Sequence, residues 1–98
     1  MNLTERLDGG RLTLAIEGRL DTTTAPQLEE ALKRPRNGVT RLTLDFAGVT
    51  YVSSAGLRVI LLAQKQMKNG GGMTVRNVNE TVMDVFEVTG LAKILTFD

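Results

Sequence analysis

The sequence predicts an α/β fold: a mixed β-sheet, in the element order ββαβαβαβ, with an antiparallel hairpin at one edge. Three observations carry this. Two short apolar runs are joined by Asp8-Gly9-Gly10, which signals a hairpin. Apolar residues then recur alternately at strand spacing and at helix spacing along the rest of the chain. Glycine, proline and asparagine fall at the junctions between these segments. Strands that alternate with helices pair in parallel through right-handed crossovers.

Each element has its own signal. Leu3 to Leu7 and Arg11 to Glu17 form the hairpin. In the second run Leu12, Leu14 and Ile16 alternate with Arg11, Thr13, Ala15 and Glu17, which gives a strand with one buried face that ends at Gly18. In RLDTTTAPQLEEALKRP, Thr24 and Gln27 have the spacing of a capping box. Pro26 is tolerated in the first turn, and Ala25, Leu28, Ala31 and Leu32 form an apolar stripe that Pro35 stops. Val39 to Phe46 reads as the third strand, with Leu42, Leu44 and Phe46 on one face and Thr43 and Asp45 on the other.

After YVSSAGLR, the residues Leu57, Ile60, Leu61, Gln64 and Met67 mark a helix through Lys68, with Ser54 as its expected N-cap. Val59, Leu62 and Ala63 widen its apolar face. Asn69-Gly70-Gly71-Gly72 breaks the helix, and Met73 to Asn77 reads as a strand. Asn79 caps a third helix from Glu80 to about Val88, with Val82, Val85 and Phe86 inward, and Gly90 suits the left-handed position after it. Ala92 to Phe97 is the expected last strand. With 98 residues and no repeat or linker, residues 1–98 read as a single domain.

Composition narrows the function. There is no cysteine, so no disulfide or thiolate site, and no histidine, the commonest general base and metal ligand. Twelve basic residues against eleven acidic ones leave +1, which predicts neither nucleic acid nor an anionic membrane as partner. No apolar stretch has the length of a signal-peptide core or a membrane span, so membrane insertion is not expected and the cytosol is the default location.

Catalysis finds no support. A nucleophilic serine needs a nearby base, YVSSAGL is not the Gly-x-Ser-x-Gly elbow, and Lys65 and Lys68 lie roughly 15 Å or more down the helix from Ser54. The glycines of KNGGGM follow a helix and precede a strand, the reverse of a phosphate loop. Asp21 and Asp45 approach the carboxyl ends of neighbouring strands, near Ser53. Without a third ligand they read as loop and cap hydrogen-bond acceptors rather than a Mg²⁺ site, and no cofactor is expected. Ser53 and Ser54 stand at a helix N-terminus, where free amides and the helix dipole favour an anion such as a phosphate.

Three stretches carry a family resemblance. EGRLDTTTAPQLEEAL, LTLDFAGVTYVSSAGLRVI and VNETVMDVFEVTGLAKIL resemble the STAS domain, in particular the single-domain anti-sigma-factor antagonists of bacteria. The resemblance implies a STAS-like mixed sheet with helices packed mainly on one face. It implies a binding protein, not an enzyme. Its partner in a transcriptional partner switch is an anti-sigma factor that is also a serine kinase, with a serine phosphatase reversing the modification. The family's phosphoacceptor directly precedes the motif glycine. Here Gly56 and Leu57 match the motif, but the acceptor position is Ala55, Ser54 matches the motif's first serine, and Ser53 stands where the motif has aspartate.

Ser54, or else Ser53, is then the candidate acceptor by a local shift, or the antagonist cannot be switched off in the usual way. The expected partner surface comprises Asp21, Thr22, Thr23, Thr24, Ser53, Ser54, Ala55, Gly56 and Arg58, with Ala55 and Gly56 permitting close backbone approach. The alternative is an accessory STAS subunit of a membrane lipid transporter, which binds an ATPase without phosphorylation.

Overall fold

The computed structural model describes residues 1–68 and 70–98. Asn69, expected to help break the second helix, lies outside the described residues. The elements are β1 (Asn2–Asp8), β2 (Arg11–Leu20), α1 (Ala25–Lys33), β3 (Arg41–Val52), α2 (Ser54–Gln66), β4 (Met73–Arg76), α3 (Glu80–Thr89) and β5 (Thr96–Phe97), with a 3₁₀ turn at Leu91–Lys93. The strands form one sheet in the order β1-β2-β3-β4-β5. β1 pairs antiparallel with β2, and the other neighbours are parallel. Three successive right-handed crossovers put all three helices on one face of such a sheet.

That face is the core. Leu12, Leu14, Ile16, Leu42, Leu44, Phe46 and Val75 are buried against Leu28, Ile60, Ala63, Val82 and Phe86. Phe86 packs between Phe46 and Phe97, with ring centroids 6.1 and 5.8 Å away, within the range of favourable aromatic pairs. The opposite face is polar. Thr13, Thr43, Thr74 and Thr96 lie in register across four strands, and the hydroxyls of Thr43 and Thr74 are 3.2 Å apart.

Four boundaries differ from the sequence reading. Gly18 does not end β2. At φ +105 it sits where the register against β3 shifts, the extra residue being on β3 between Val49 and Tyr51, and both strands continue to Leu20 and Val52. Gly48 pairs with Glu17 at the other register shift, and a Cβ there would lie 2.6 Å from Glu17 Cγ. α2 stops at Gln66, capped by backbone bonds from Met67. The segment from Ala92 is a 3₁₀ turn rather than strand. Gly90 leaves α3 at φ 84, and Leu91 O then accepts from Ile94 N and Leu95 N, both at 2.9 Å. One more turn is needed before the chain reaches β4, which leaves β5 two residues long. Asn79 does cap α3: its side chain accepts from Val82 N at 2.8 Å and donates to Val49 O at 2.9 Å.

Candidate functional site

The site forms where β2 and β3 end side by side. Leu20 and Val52 are register partners, and Ser53 N donates to Leu20 O at 2.9 Å. This bond ties the turn entering α2 to the turn entering α1. Asp21 to Thr24 and Ser53 to Arg58, far apart in sequence, become neighbours at the carboxyl end of the sheet, where ligands of such folds gather.

Asp21 organises the first turn. Its Oδ1 accepts from Thr23 N at 3.0 Å, Thr24 N at 3.2 Å and Thr23 Oγ1 at 2.8 Å. The Thr23 hydroxyl, followed by the other bonds of the turn, holds the Asp21 carboxyl down at about 2. Thr24 therefore does not act as the expected capping-box residue. Its backbone already sits in the helical region, and its hydroxyl donates back to Arg19 O at 2.7 Å while accepting from Asp21 N at 2.8 Å. The amide that a capping Thr24 side chain would have served, Gln27 N, donates instead to Thr24 O at 3.0 Å.

The second turn also departs from expectation. Ser53, not Ser54, occupies the N-cap position of α2, and its side chain caps nothing. The Ser53 hydroxyl is buried without a hydrogen-bond partner. Ser54 is the first helical residue and is exposed; Ala55 is half-buried. No acidic residue stands in the first turn of α2, so its positive dipole end is not offset locally.

Gly56 is buried and turned inward. A Cβ there would meet Leu20 Cγ and Leu20 O at 2.8 Å and Val52 Cγ1 at 3.1 Å. The close approach that Gly56 permits is thus between α2 and the ends of β2 and β3 inside the chain, rather than to a partner. Arg58 is exposed and reaches α1, pairing with Glu29 Oε1 at 3.0 Å. Glu29 is held below the usual carboxylate range by Lys33 first, then by Arg58.

Asp45 is not part of this site. Its Oδ1 accepts from Asn77 Nδ2 and Ala47 N, both at 3.0 Å, and the bond from Asn77 is the main cause of its lowered pKa. Asp21 and Asp45 each close their own loop. Among the described residues no group of three or more carboxylates, histidines or cysteines is placed to hold a metal ion.

Two residues at the rim were not singled out from sequence. The Arg19 guanidinium lies over the Tyr51 ring at 4.2 Å from its centroid, and Arg19 Nε is 3.5 Å from Asp21 Oδ2. Tyr51, the chain's single tyrosine, is 41% exposed. Its signal was present as an aromatic side chain just before the serines. The register shift that pairs it with Arg19 was not.

The family model described as "Mlab, STAS domain" matches residues 3–96. The chain belongs to the STAS domain family. A curated STAS relative, the putative anti-sigma factor antagonist BtrV of Bordetella bronchiseptica, is 35% identical over 96 residues, covering 96% of this chain and 83% of that protein. The anti-sigma-B factor antagonist of Bacillus subtilis is 28% identical, covering 97% of this chain and 88% of its own length. Among solved structures, an anti-sigma factor antagonist from Mycobacterium paratuberculosis superposes with a TM-score of 0.88 at 22% identity, covering 98% of this chain and 83% of that one. The likeness at that identity establishes the STAS fold, with its five-stranded mixed sheet and three helices. The curated relatives are named as regulators of transcription factors, not as enzymes. No described helix is long and apolar enough to cross a membrane.

Proposed function

We propose that this STAS domain is an anti-sigma factor antagonist whose docking surface is the paired turn Asp21–Thr24 with the exposed start of α2. The observation that carries the reading is the Ser53 N to Leu20 O bond, which fuses the two turns into one face with Ser54, Arg58 and Tyr51 at its surface. The named relatives supply the kind of partner, an anti-sigma factor; that this partner is also a serine kinase, countered by a serine phosphatase, is what the resemblance of the three motif stretches implies. The protein acts by binding, in the cytoplasm, as one domain.

The switch differs from the family pattern. Ala55 offers no hydroxyl, and the Ser53 hydroxyl is buried. Ser54 is the accessible hydroxyl of the pair, and a phosphate on it would stand at the positive end of α2. Successive helical residues diverge by about 100°, so a kinase shaped for position 55 would meet Ser54 off-axis.

The test is titration of the purified protein with the anti-sigma factors of its host by calorimetry, before and after incubation with ATP. Binding that Ser54→Trp abolishes and Val88→Ser leaves intact supports the surface. Mass spectrometry then decides between phosphate on Ser54 and a constitutive antagonist. A second reading is favoured by Ala55 and by the description of the matching family model: an accessory subunit of a membrane lipid transporter. Stoichiometric binding to a transporter ATPase, with none to any anti-sigma factor, would replace the first reading with the second.

A further inference from the structure

We infer that the end of the sheet opposite the docking surface is a peripheral docking face for anionic membrane lipid. The near-zero net charge hides a segregation. Arg11 and Arg41 open β2 and β3 and are direct register partners. Lys33 ends α1, Lys65 and Lys68 lie at the end of α2, and Lys93 precedes β5. β3, β4 and β5 are each entered from the C-terminal side of the preceding helix and β2 from the hairpin turn, so all six residues gather at the amino end of the sheet. All six are exposed.

Among the described residues, Arg11, Arg41, Lys65, Lys68 and Lys93 have no carboxylate within 4.0 Å. Of the acidic residues near this end, Asp8 stands in register with Arg11, Glu5 is taken up by Arg34 and Arg36, and Glu87 is exposed in the last turn of α3. Glu17, Asp21, Asp45, Glu80 and Asp98 lie toward the other end.

Distance makes the segregation count. The twelve residues of β3 span roughly 35 Å at about 3.3 Å each, several times the Debye length of about 8 Å in physiological salt. A surface at the amino end therefore meets the local excess of positive charge, not the net +1. Like charges placed opposite on neighbouring strands are destabilising. Arg11 and Arg41 accept this cost, and Gly71 makes room for it: a Cβ there would lie 2.3 Å from Arg41 Cγ.

Exposed apolar side chains lie among the same charges. Leu7 at the end of β1 is 54% exposed and Ile94 before β5 is 52% exposed, whereas the exposed Val88 at the end of α3 has the acidic Asp84 and Glu87 beside it. Basic residues interleaved with protruding apolar ones match a lipid interface, where the cations meet headgroup phosphates and the apolar tips enter the acyl boundary. Nucleic acid would use the cations but not Leu7 and Ile94. Docking at this end leaves the partner surface directed to water, so the inference does not rest on which partner binds there.

The test is sedimentation with vesicles of phosphatidylcholine alone and of phosphatidylcholine with phosphatidylglycerol. Binding is expected to the anionic vesicles only, and to fall at high salt. Arg11→Gln should weaken it about fivefold, the worth of one cation near an anionic surface. Arg76→Gln, the same charge change at the carboxyl end of β4, should not. Leu7→Ser with Ile94→Ser should reduce the binding that survives salt. Circular dichroism establishes that each variant is folded. No binding to anionic vesicles, equal losses from Arg11→Gln and Arg76→Gln, or binding of short duplex DNA in place of vesicles would each overturn the inference.

Discussion

Gly56→Ala is the sharpest test of how the docking surface is held. Gly56 lies in the first turn of α2 with no positive φ, so the backbone itself accepts alanine. Helix propensity alone would reward the change by up to about 1 kcal/mol. Packing opposes it. The added methyl would stand 2.8 Å from Leu20 Cγ and from Leu20 O, and 3.1 Å from Val52 Cγ1. Leu20 and Val52 are themselves buried, and Leu20 O already accepts the Ser53 amide. A clash with a backbone oxygen cannot be relieved by a rotamer, so α2 must lift away or the Leu20 peptide must tilt. Overpacking of this kind costs about 1–3 kcal/mol. A mid-range cost of about 2 kcal/mol less the propensity gain leaves an expected net loss of about 1 kcal/mol, or roughly 4–8 °C of Tm in a domain of this size. Urea unfolding with an unchanged m-value measures it, and Ser54→Ala, one turn position away and exposed, serves as the control. A Gly56→Ala protein as stable as wild type would refute the claim that this glycine is required for internal packing.

Three further outcomes are expected. Asn79→Ala removes both the cap of α3 and the bond to Val49 O, and should cost about 1–2 kcal/mol in urea unfolding. Ser53→Ala should be neutral or slightly stabilising, because it deletes a buried hydroxyl that bonds to nothing; a loss of about 1 kcal/mol would mean that the side chain caps α2 after all. The folded Asp21 pKa lies below the unfolded value of about 3.9, so its contribution is present above that pH and is lost as pH falls through about 2. The Thr23 and Thr24 amide resonances should follow that transition, and Asp21→Asn should abolish it.

The repeating part of the fold was legible because it rests on periodicity. Leu12, Leu14 and Ile16, then Leu42, Leu44 and Phe46, alternate as half-buried strands must, and Val82 and Phe86 keep helical spacing. What escaped was decided by neighbours in space. Gly18 has the composition of a strand end, but its left-handed φ falls at a register shift against β3, where the chain continues as strand. Thr24 and Gln27 have the spacing of a capping box, yet the Thr24 hydroxyl is engaged by Arg19 O and Asp21 N instead. The adjacency of the two site turns could be read from parallel strands ending together. The inward direction of Gly56 and the stacking of Arg19 on Tyr51 depend on register shifts that no local pattern encodes.

The start of α2 shows why a hydroxyl is not the essential element of this surface. The first-turn amides of a helix lack intrahelical acceptors, the side chain of Ser53 takes none of them, and no acidic residue follows. The Ser53 backbone, by contrast, is fixed at both ends, its amide on Leu20 O and its carbonyl accepting Leu57 N at 2.9 Å. The shape of the turn is thus set by main-chain bonds and by the fit of Gly56 against Leu20 and Val52. None of these contacts involves the side chain at position 55. On the proposed reading, alanine there removes the family's modification point while leaving the geometry of the turn intact, so loss of the switch and retention of binding are structurally compatible in this chain.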